Sequence, residues 1–379
     1  MPRYDVLLKG GTVLDPAAAL NARRDVAIAD GRVAALAPDL PADAAAHVYN
    51  VSSLIVTPGL IDYHLHAFWG GTYIGLDADR YCLPRGVTTV VDGGSAGAYN
   101  FLAFRRLAVE PARTRVLCFL NLSSIGQVNN RVGELEDLRH VDAEATARCV
   151  QENRDVILGL KVRLSRSAVG ANGLQPLKMA RELADRLAVP IMVHISETDA
   201  PLPDILALLR RGDVVTHALT ARAHGILDEH GQVLPAVKEA VARGIILDSA
   251  MGRMHLSYAV ARAALAAGVL PDAISTDATI FGAQGIVHDL PSVMSRFMAL
   301  GLSLEQVLAR TTANPARLLG RQAEIGTLAT GACADVAAFA IEEGEFAYPD
   351  NFDEVITARQ RLVPRLVLRA GAEIPVEDW

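Results

Sequence analysis

The hydrophobic pattern divides the chain into three textures. Between Tyr4 and about Thr57, short strand-like runs alternate with turns: Asp5-Val6-Leu7-Leu8-Lys9, Gly10-Gly11, Thr12-Val13-Leu14, then Asp25-Val26-Ala27-Ile28, Asp30-Gly31 and Arg32-Val33-Ala34-Ala35-Leu36. An Asp-Gly pair between alternating apolar residues predicts a hairpin, because glycine accepts the positive φ of a tight turn. From about Pro58 to Leu319, short apolar runs recur with helical patterns between them: Gly59–His64, Thr88–Asp92, Val116–Asn121, Ile157–Val162, Pro190–His194, Asp213–His217, Ile245–Asp248 and Ala273–Asp277. Eight strands separated by helices over about 260 residues predict a (β/α)8 barrel. A doubly wound open sheet is the competing architecture, but it carries a Gly-rich phosphate loop after its first strand, and none stands here. After about Gly320, strand texture returns at Ala334–Ala340 and Arg365–Arg369. The expected architecture is therefore a TIM barrel over residues 58–319 and a small β-sandwich domain formed by both chain termini, residues 1–57 plus 320–379.

Composition narrows the class of protein. The chain has 379 residues, 51% of them hydrophobic and 21% charged, which suits a globular enzyme and excludes a disordered chain. Lys plus Arg number 36 against 43 acidic residues, a net charge of -7 with no long block of one sign. Phosphates need a positive field, so no nucleic-acid partner and no basic membrane-surface role are expected. Mean hydropathy is +0.24, yet no apolar run reaches the length of a membrane span. The opening residues Met1–Gly10 lack a signal-peptide core, so a cytoplasmic location is expected. Cys82, Cys118, Cys149 and Cys333 are scattered, without the spacing of a disulfide framework or a Cys-x-x-Cys site.

A barrel presents its reactive groups at the C-terminal ends of its strands, which makes position within each run informative. The first run ends in His64-Leu65-His66, and residues i and i+2 of a strand share a face. His194 ends the fifth run, His217 the sixth and Asp277 the eighth, while Lys161 lies at the end of the fourth. Four of the ten histidines thus stand at strand ends; His47, His140, His224, His230, His255 and His288 fall in loops or helices. Imidazole and carboxylate donors suit Zn2+ better than Mg2+ or Ca2+. Lys161 leaves two readings open. An ammonium cannot ligate a cation, so the residue either pairs with an acid such as Asp277 or, deprotonated, adds CO2 to become a carbamate able to bridge two ions.

Several motifs resemble the amidohydrolase superfamily: Pro58-Gly59-Leu60-Ile61-Asp62-Tyr63-His64-Leu65-His66, Gly86–Asp92, Ser275-Thr276-Asp277, and the closing Thr311-Thr312-Ala313-Asn314-Pro315-Ala316 with Gly331 and Ala334-Asp335. The resemblance covers essentially the whole chain. Asp92–Gly97, Asn121–Gly126, Glu152–Asp155 and Gly159–Arg163 look like the dihydroorotase-like deacetylase branch. That resemblance implies two Zn2+ ions, a CO2-derived carbamate on Lys161 and a bridging hydroxide. By matching position, His64 and His66 would hold the more buried ion and His194 and His217 the more exposed one; Lys161 would bridge, and Asp277 would ligate and act in catalysis. In one respect the chain departs: where the branch carries a Gly-His-Gly element after the seventh strand, it reads Ser249-Ala250-Met251-Gly252-Arg253-Met254-His255. The departure bears on substrate preference and leaves the metal set intact.

The expected activity is hydrolysis of an amide or ester of a small N- or O-acylated carboxylic acid by the metal-bridging hydroxide. Arg163, two residues beyond Lys161, is a candidate to bind the substrate carboxylate or else to pair with an acidic neighbour. Asn121 and Ser123 are candidate polar contacts. A cyclic-amide hydrolase of the dihydroorotase or hydantoinase type would use the same dinuclear chemistry. A mononuclear heterocycle deaminase is supported by Glu197, three residues after His194, but has no use for a bridging lysine. A catalytically silent scaffold would be free to lose ligands, and this chain keeps all six. The partner implied is a small-molecule substrate; the sequence leaves a homo-oligomer open.

Overall fold

In the N-terminal texture the turn chemistry acts as its composition requires. Seven strands form there: β1 (Tyr4–Lys9), β2 (Thr12–Asp15), β3 (Leu20–Arg23), β4 (Asp25–Ala29), β5 (Arg32–Ala37), β6 (Ala45–Asn50) and β7 (Ile55–Pro58). Asp30 and Gly31 take φ of 53° and 71° and join β4 to β5 antiparallel. The computed structural model describes residues 2–376.

The barrel follows as β8 (Leu60–Leu65), β9 (Val87–Asp92), β10 (Arg115–Asn121), β11 (Ile157–Arg163), β12 (Ile191–His194), β13 (Val214–Thr216) and β14 (Ile246–Asp248). These lie in one parallel sheet of order β14-β13-β12-β11-β10-β9-β8. Every residue of β8 and β9 is buried, as expected of strands covered on both faces. The eighth run, at residues 273–278, closes the ring by isolated parallel bridges, Asp248 to Ala273 and Leu65 to Ala278, instead of by a continuous strand. Its extension ends because Asp277 turns to a φ of 47°. Polar bonds complete the closure: Thr276 donates its backbone N–H and its hydroxyl to the Asp62 carboxylate at 3.0 and 2.6 Å. The Asp277 N–H donates to the His64 carbonyl at 2.7 Å, which fixes Asp277 beside the end of the first barrel strand.

Three more strands, β15 (Val336–Pro349), β16 (Val355–Arg369) and β17 (Ala372–Ile374), return the chain to its beginning. One sheet has the order β5-β4-β1-β6, and the other, β17-β16-β15-β7-β2-β3, mixes strands from both termini. Val6, Leu8, Val26 and Ile28 of the first sheet share a core with Val13, Val56, Val336 and Leu368 of the second. The β15–β16 hairpin is much longer than the sequence suggests, since Glu342-Glu343-Gly344-Glu345 interrupt its apolar pattern. Its outer half leaves the sandwich and lays β16 along the helix Leu290–Ala299, with Leu362 buried in the main core. The hairpin tip thereby reaches the loop after β14. Among the described residues no helix is long and apolar enough to cross a membrane.

Candidate metal centre

The strand ends converge on a cavity of about 290 Å3 lined by His64, His66, Lys161, His194, His217 and Asp277, together with Arg163, Glu197, Arg253, Met254, His255 and Phe281. All six residues expected to build the site therefore meet there. The ring centroids of His64 and His66 are 5.8 Å apart, those of His64 and His217 5.3 Å, and those of His194 and His217 4.3 Å. Asp277 Oδ1 lies 3.3 Å from His66 Nε2 and 3.6 Å from His64 Nε2. His217 and Asp277 both reach their positions through left-handed backbone, φ 65° and 47°, a conformation that is costly for such residues and clusters at functional sites.

Each of these four imidazoles is held through one nitrogen by the surrounding frame; the second nitrogen of His66, His194 and His217 has no hydrogen bond among the described residues, and that of His64 meets Lys161. His217 Nδ1–H donates to the Ala250 carbonyl at 2.8 Å and His194 Nε2–H to the Ser196 carbonyl at 3.0 Å. A carbonyl only accepts, so the remaining lone pairs sit on His217 Nε2 and His194 Nδ1. His64 Nδ1 meets Thr216 Oγ1 at 2.7 Å and Asp248 Oδ2 at 3.1 Å, and His66 Nδ1 meets Ser95 Oγ at 2.8 Å. Burial holds His64, His194 and His217 well below the ordinary histidine range, which keeps them neutral. Neutral rings oriented by an outer hydrogen bond are the donors a Zn2+ ion takes. The ligand atoms of His64, His217 and Asp277 lie within 4.8 Å of one another, as do those of His194, His217 and His255. The residues present thus fit a divalent metal centre on an internal observation: each ring is held through one nitrogen, and the second is without a hydrogen bond among the described residues in His66, His194 and His217 and meets only the Lys161 amine in His64.

Lys161 is 1% exposed, and its Nζ sits 3.2 Å from His64 Nε2 and 3.5 Å from Met192 Sδ. Among the described residues it forms no ion pair, so pairing with Asp277 does not account for it. Burial pulls its pKa down to about 8, against the opposing pull of Asp277 and Asp248. Two glycines make room: a Cβ on Gly93 would stand 2.2 Å from His64 Nε2, and one on Gly94 would stand 2.4 Å from Lys161 Cγ.

The candidate substrate contacts fare differently. Arg163 lines the cavity, but its Nε and Nη2 bond the Glu134 carboxylate at 2.6 and 2.8 Å. Asn121 and Ser123 are fully buried and do not reach the cavity wall. Asn121 instead donates to the Gly94 carbonyl at 3.0 Å and accepts from the Ser123 N–H at 2.9 Å, tying down the loop beneath Lys161.

Sequence reasoning passed over several supports. Asp248 accepts from Thr216 Oγ1 at 2.7 Å and from the Ser275 hydroxyl, and burial raises its pKa to about 6. Asp92 accepts from the N–H groups of Ala67, Gly94 and Ser95 at 2.7, 3.0 and 2.6 Å, stapling the loops after β8 and β9 together. Both end their strands, so the strand-end argument applied to the histidines reaches these acids as well. His255 lines the cavity although it lies seven residues beyond β14, and nothing in the local pattern announces it.

A model of the Amidohydrolase family matches residues 55–360, which span the barrel, every site residue above and most of the returning hairpin. The chain belongs to the amidohydrolase family. This amidohydrolase is 36% identical over 345 residues to a deacetylase of Agrobacterium fabrum, covering 91% of this chain and 84% of that relative. Its fold superposes on a crystal structure described as an adenine deaminase with a TM-score of 0.90 at 30% identity, covering 98% of this chain and 99% of the other. A crystal structure described as a dihydroorotase gives 0.89 at 33% identity, covering 97% and 98%. The names of these relatives span three activities.

Proposed function

We propose that this amidohydrolase is a zinc-dependent deacetylase that hydrolyses an amide or ester bond of a small N- or O-acylated carboxylic acid. The observation that carries the reading is Lys161, a lysine buried beside His64 with no carboxylate paired to it among the described residues. A neutral amine in that position adds CO2: the N–C bond forms, one proton leaves to solvent, and the resulting anion offers two oxygens. His64, His66 and Asp277 would hold one ion, His194 and His217 the other, with the carbamate of Lys161 between them. Two such ions, when bound, bring the pKa of water toward neutrality and polarise a scissile carbonyl.

The chain's own residues supply the rest. Asp277 takes the proton of the attacking water on its carboxylate and returns it to the leaving amine or alkoxide. The cavity walls at Ile74, Met254 and Phe281 limit the space around the acyl group, and Arg253 gives the same cavity a cationic group suited to a carboxylate, beside Arg163, whose Nε and Nη2 are held by Glu134. The deacetylase name of the Agrobacterium relative supports cleavage of an acyl group. A cyclic amide would be opened by the same groups. A mononuclear deaminase is the second reading, favoured by Glu197, which lines the cavity; it leaves Lys161 without a role.

The test is a hydrolysis screen of N-acetyl and O-acetyl acids, N-acyl amino acids of both hands, cyclic amides and aminated heterocycles with the Zn2+-loaded protein. Acetate release from one acyl class is the expected result, abolished in Asp277→Asn with most metal retained. Ammonia release from a heterocycle, without acetate release, would sink the proposal, as would a fully active Asp277→Asn protein.

A further inference from the structure

Five imidazoles line the cavity, and only four of them have a hydrogen bond on the ring among the described residues. The exception is His255: its Nδ1 is shut off from solvent with no partner, and its Nε2 lies 3.8 Å from Asp277 Oδ2. Buried polar atoms are almost always satisfied, so this one calls for an explanation. The ring stands 3.9 Å from that of His217 and 5.2 Å from that of His194, centroid to centroid. Ligand atoms of the three lie within 4.8 Å of one another. His194 and His217 each keep one ring nitrogen without a hydrogen bond among the described residues, and a third ring beside them completes a donor set for a soft-to-borderline divalent ion.

The position is built. The N–H groups of His255 and Leu256 both donate to Asn351 Oδ1, at 3.0 and 2.8 Å, and the Tyr258 N–H donates to Asp350 Oδ2 at 2.9 Å. The tip of the β15–β16 hairpin therefore clamps the loop that carries His255. On the inner side Gly252 admits the close approach, since a Cβ there would stand 2.4 Å from Asp277 Oδ2 and 2.7 Å from His255 Cδ2.

We infer that His255 is a third imidazole ligand to the divalent ion held by His194 and His217, an inference that rests on the dinuclear reading above. Asn351 then acts as a positioning residue, holding the His255 loop from outside the barrel. The consequence is an outer ion held by three neutral rings, less dependent on the carbamate of Lys161 than a two-imidazole site would be.

The test uses the full chain without substrate. Wild type, His255→Gln and Asn351→Ala are loaded with Co2+, their visible spectra are recorded, and metal per chain is measured against rising chelator. Wild type is expected to keep two ions. His255→Gln is expected to lose one of them at a chelator concentration at least about tenfold lower, since even outer-shell changes shift metal affinity by that factor, and to alter the cobalt bands. Asn351→Ala is expected to fall between the two. Wild-type stoichiometry, chelator midpoint and cobalt spectrum in His255→Gln would overturn the inference while leaving the dinuclear reading intact. A wild type that retains fewer than two ions overturns both. Should His255→Gln fail to fold, Asn351→Ala decides, and an unchanged midpoint there overturns the inference.

Discussion

Gly93 is the position where a single methyl group tests the geometry of the site most sharply. It is absent from the positive-φ residues, so alanine is acceptable to the backbone and any effect of Gly93→Ala comes from contact alone. The new Cβ would stand 2.2 Å from His64 Nε2 and 2.3 Å from His64 Cδ2. Ordinary contact begins near 3.4 Å, so the imidazole must retreat by roughly 1.2 Å. It has nowhere to go: Thr216 Oγ1 lies 2.7 Å from its Nδ1, Asp248 Oδ2 3.1 Å from the same atom, and Lys161 Nζ 3.2 Å from its Nε2. Overpacking of this kind costs about 1–3 kcal/mol of stability, which a protein of this size survives folded. A metal site does not survive it, because ligand distances must hold to within about 0.2 Å. Displacement near 1 Å at a reacting centre lowers turnover by about 100-fold or more. The assay combines circular dichroism, metal content after dialysis and kcat on the substrate found by screening. The expected result is a folded protein that has lost the ion nearest His64. A Gly93→Ala protein with full metal content and wild-type kcat would refute the account of how His64 is held.

Other perturbations separate neighbouring roles. Asp248→Asn removes the carboxylate behind His64 and should weaken the retained metal by about 10–100-fold with little change in fold, read by chelator competition; unchanged affinity would mean that Thr216 alone orients the ring. Lys161→Ala should lose most activity and recover part of it with added short carboxylic acids that supply the missing anion; no recovery at any concentration counts against a bridging carbamate. Arg163→Met leaves Glu134 buried without its partner, a change worth about 3–5 kcal/mol in such pairs. Glu134→Gln should restore much of that stability in the double variant. An added rise in KM for carboxylated substrates alone would mark a substrate contact, and equal effects on uncarboxylated ones would remove it.

Much of this molecule was legible because barrels put chemistry at strand ends. His64, His66, Lys161, His194, His217 and Asp277 each lie at or near the end of an apolar run, and all six reach one cavity. The eighth run did not become a full strand, because pairing through side chains such as Thr276 to Asp62 replaces the ladder there. Period and propensity do not encode that substitution. His255 escaped for a different reason. Its place in the cavity depends on a loop clamped by Asn351, nearly a hundred residues away, at the tip of a hairpin whose own pattern is broken by exposed glutamates. Asn121 and Ser123 show the converse: a strand-end position brought them near the site, yet the Asn121 side chain is spent on the Gly94 carbonyl and the Ser123 N–H, and the Ser123 hydroxyl is buried away from the cavity. Position along a strand predicts which residues approach the centre, and hydrogen-bond demand decides which of them face it.

The most direct measurement is anomalous diffraction at the zinc edge from crystals of the Zn2+-loaded protein grown with bicarbonate. The account predicts two anomalous peaks, one among His64, His66 and Asp277 and one beside His194 and His217, with density for a carboxylate extending from Lys161 Nζ between them. A single peak, with Lys161 unmodified, would contradict it.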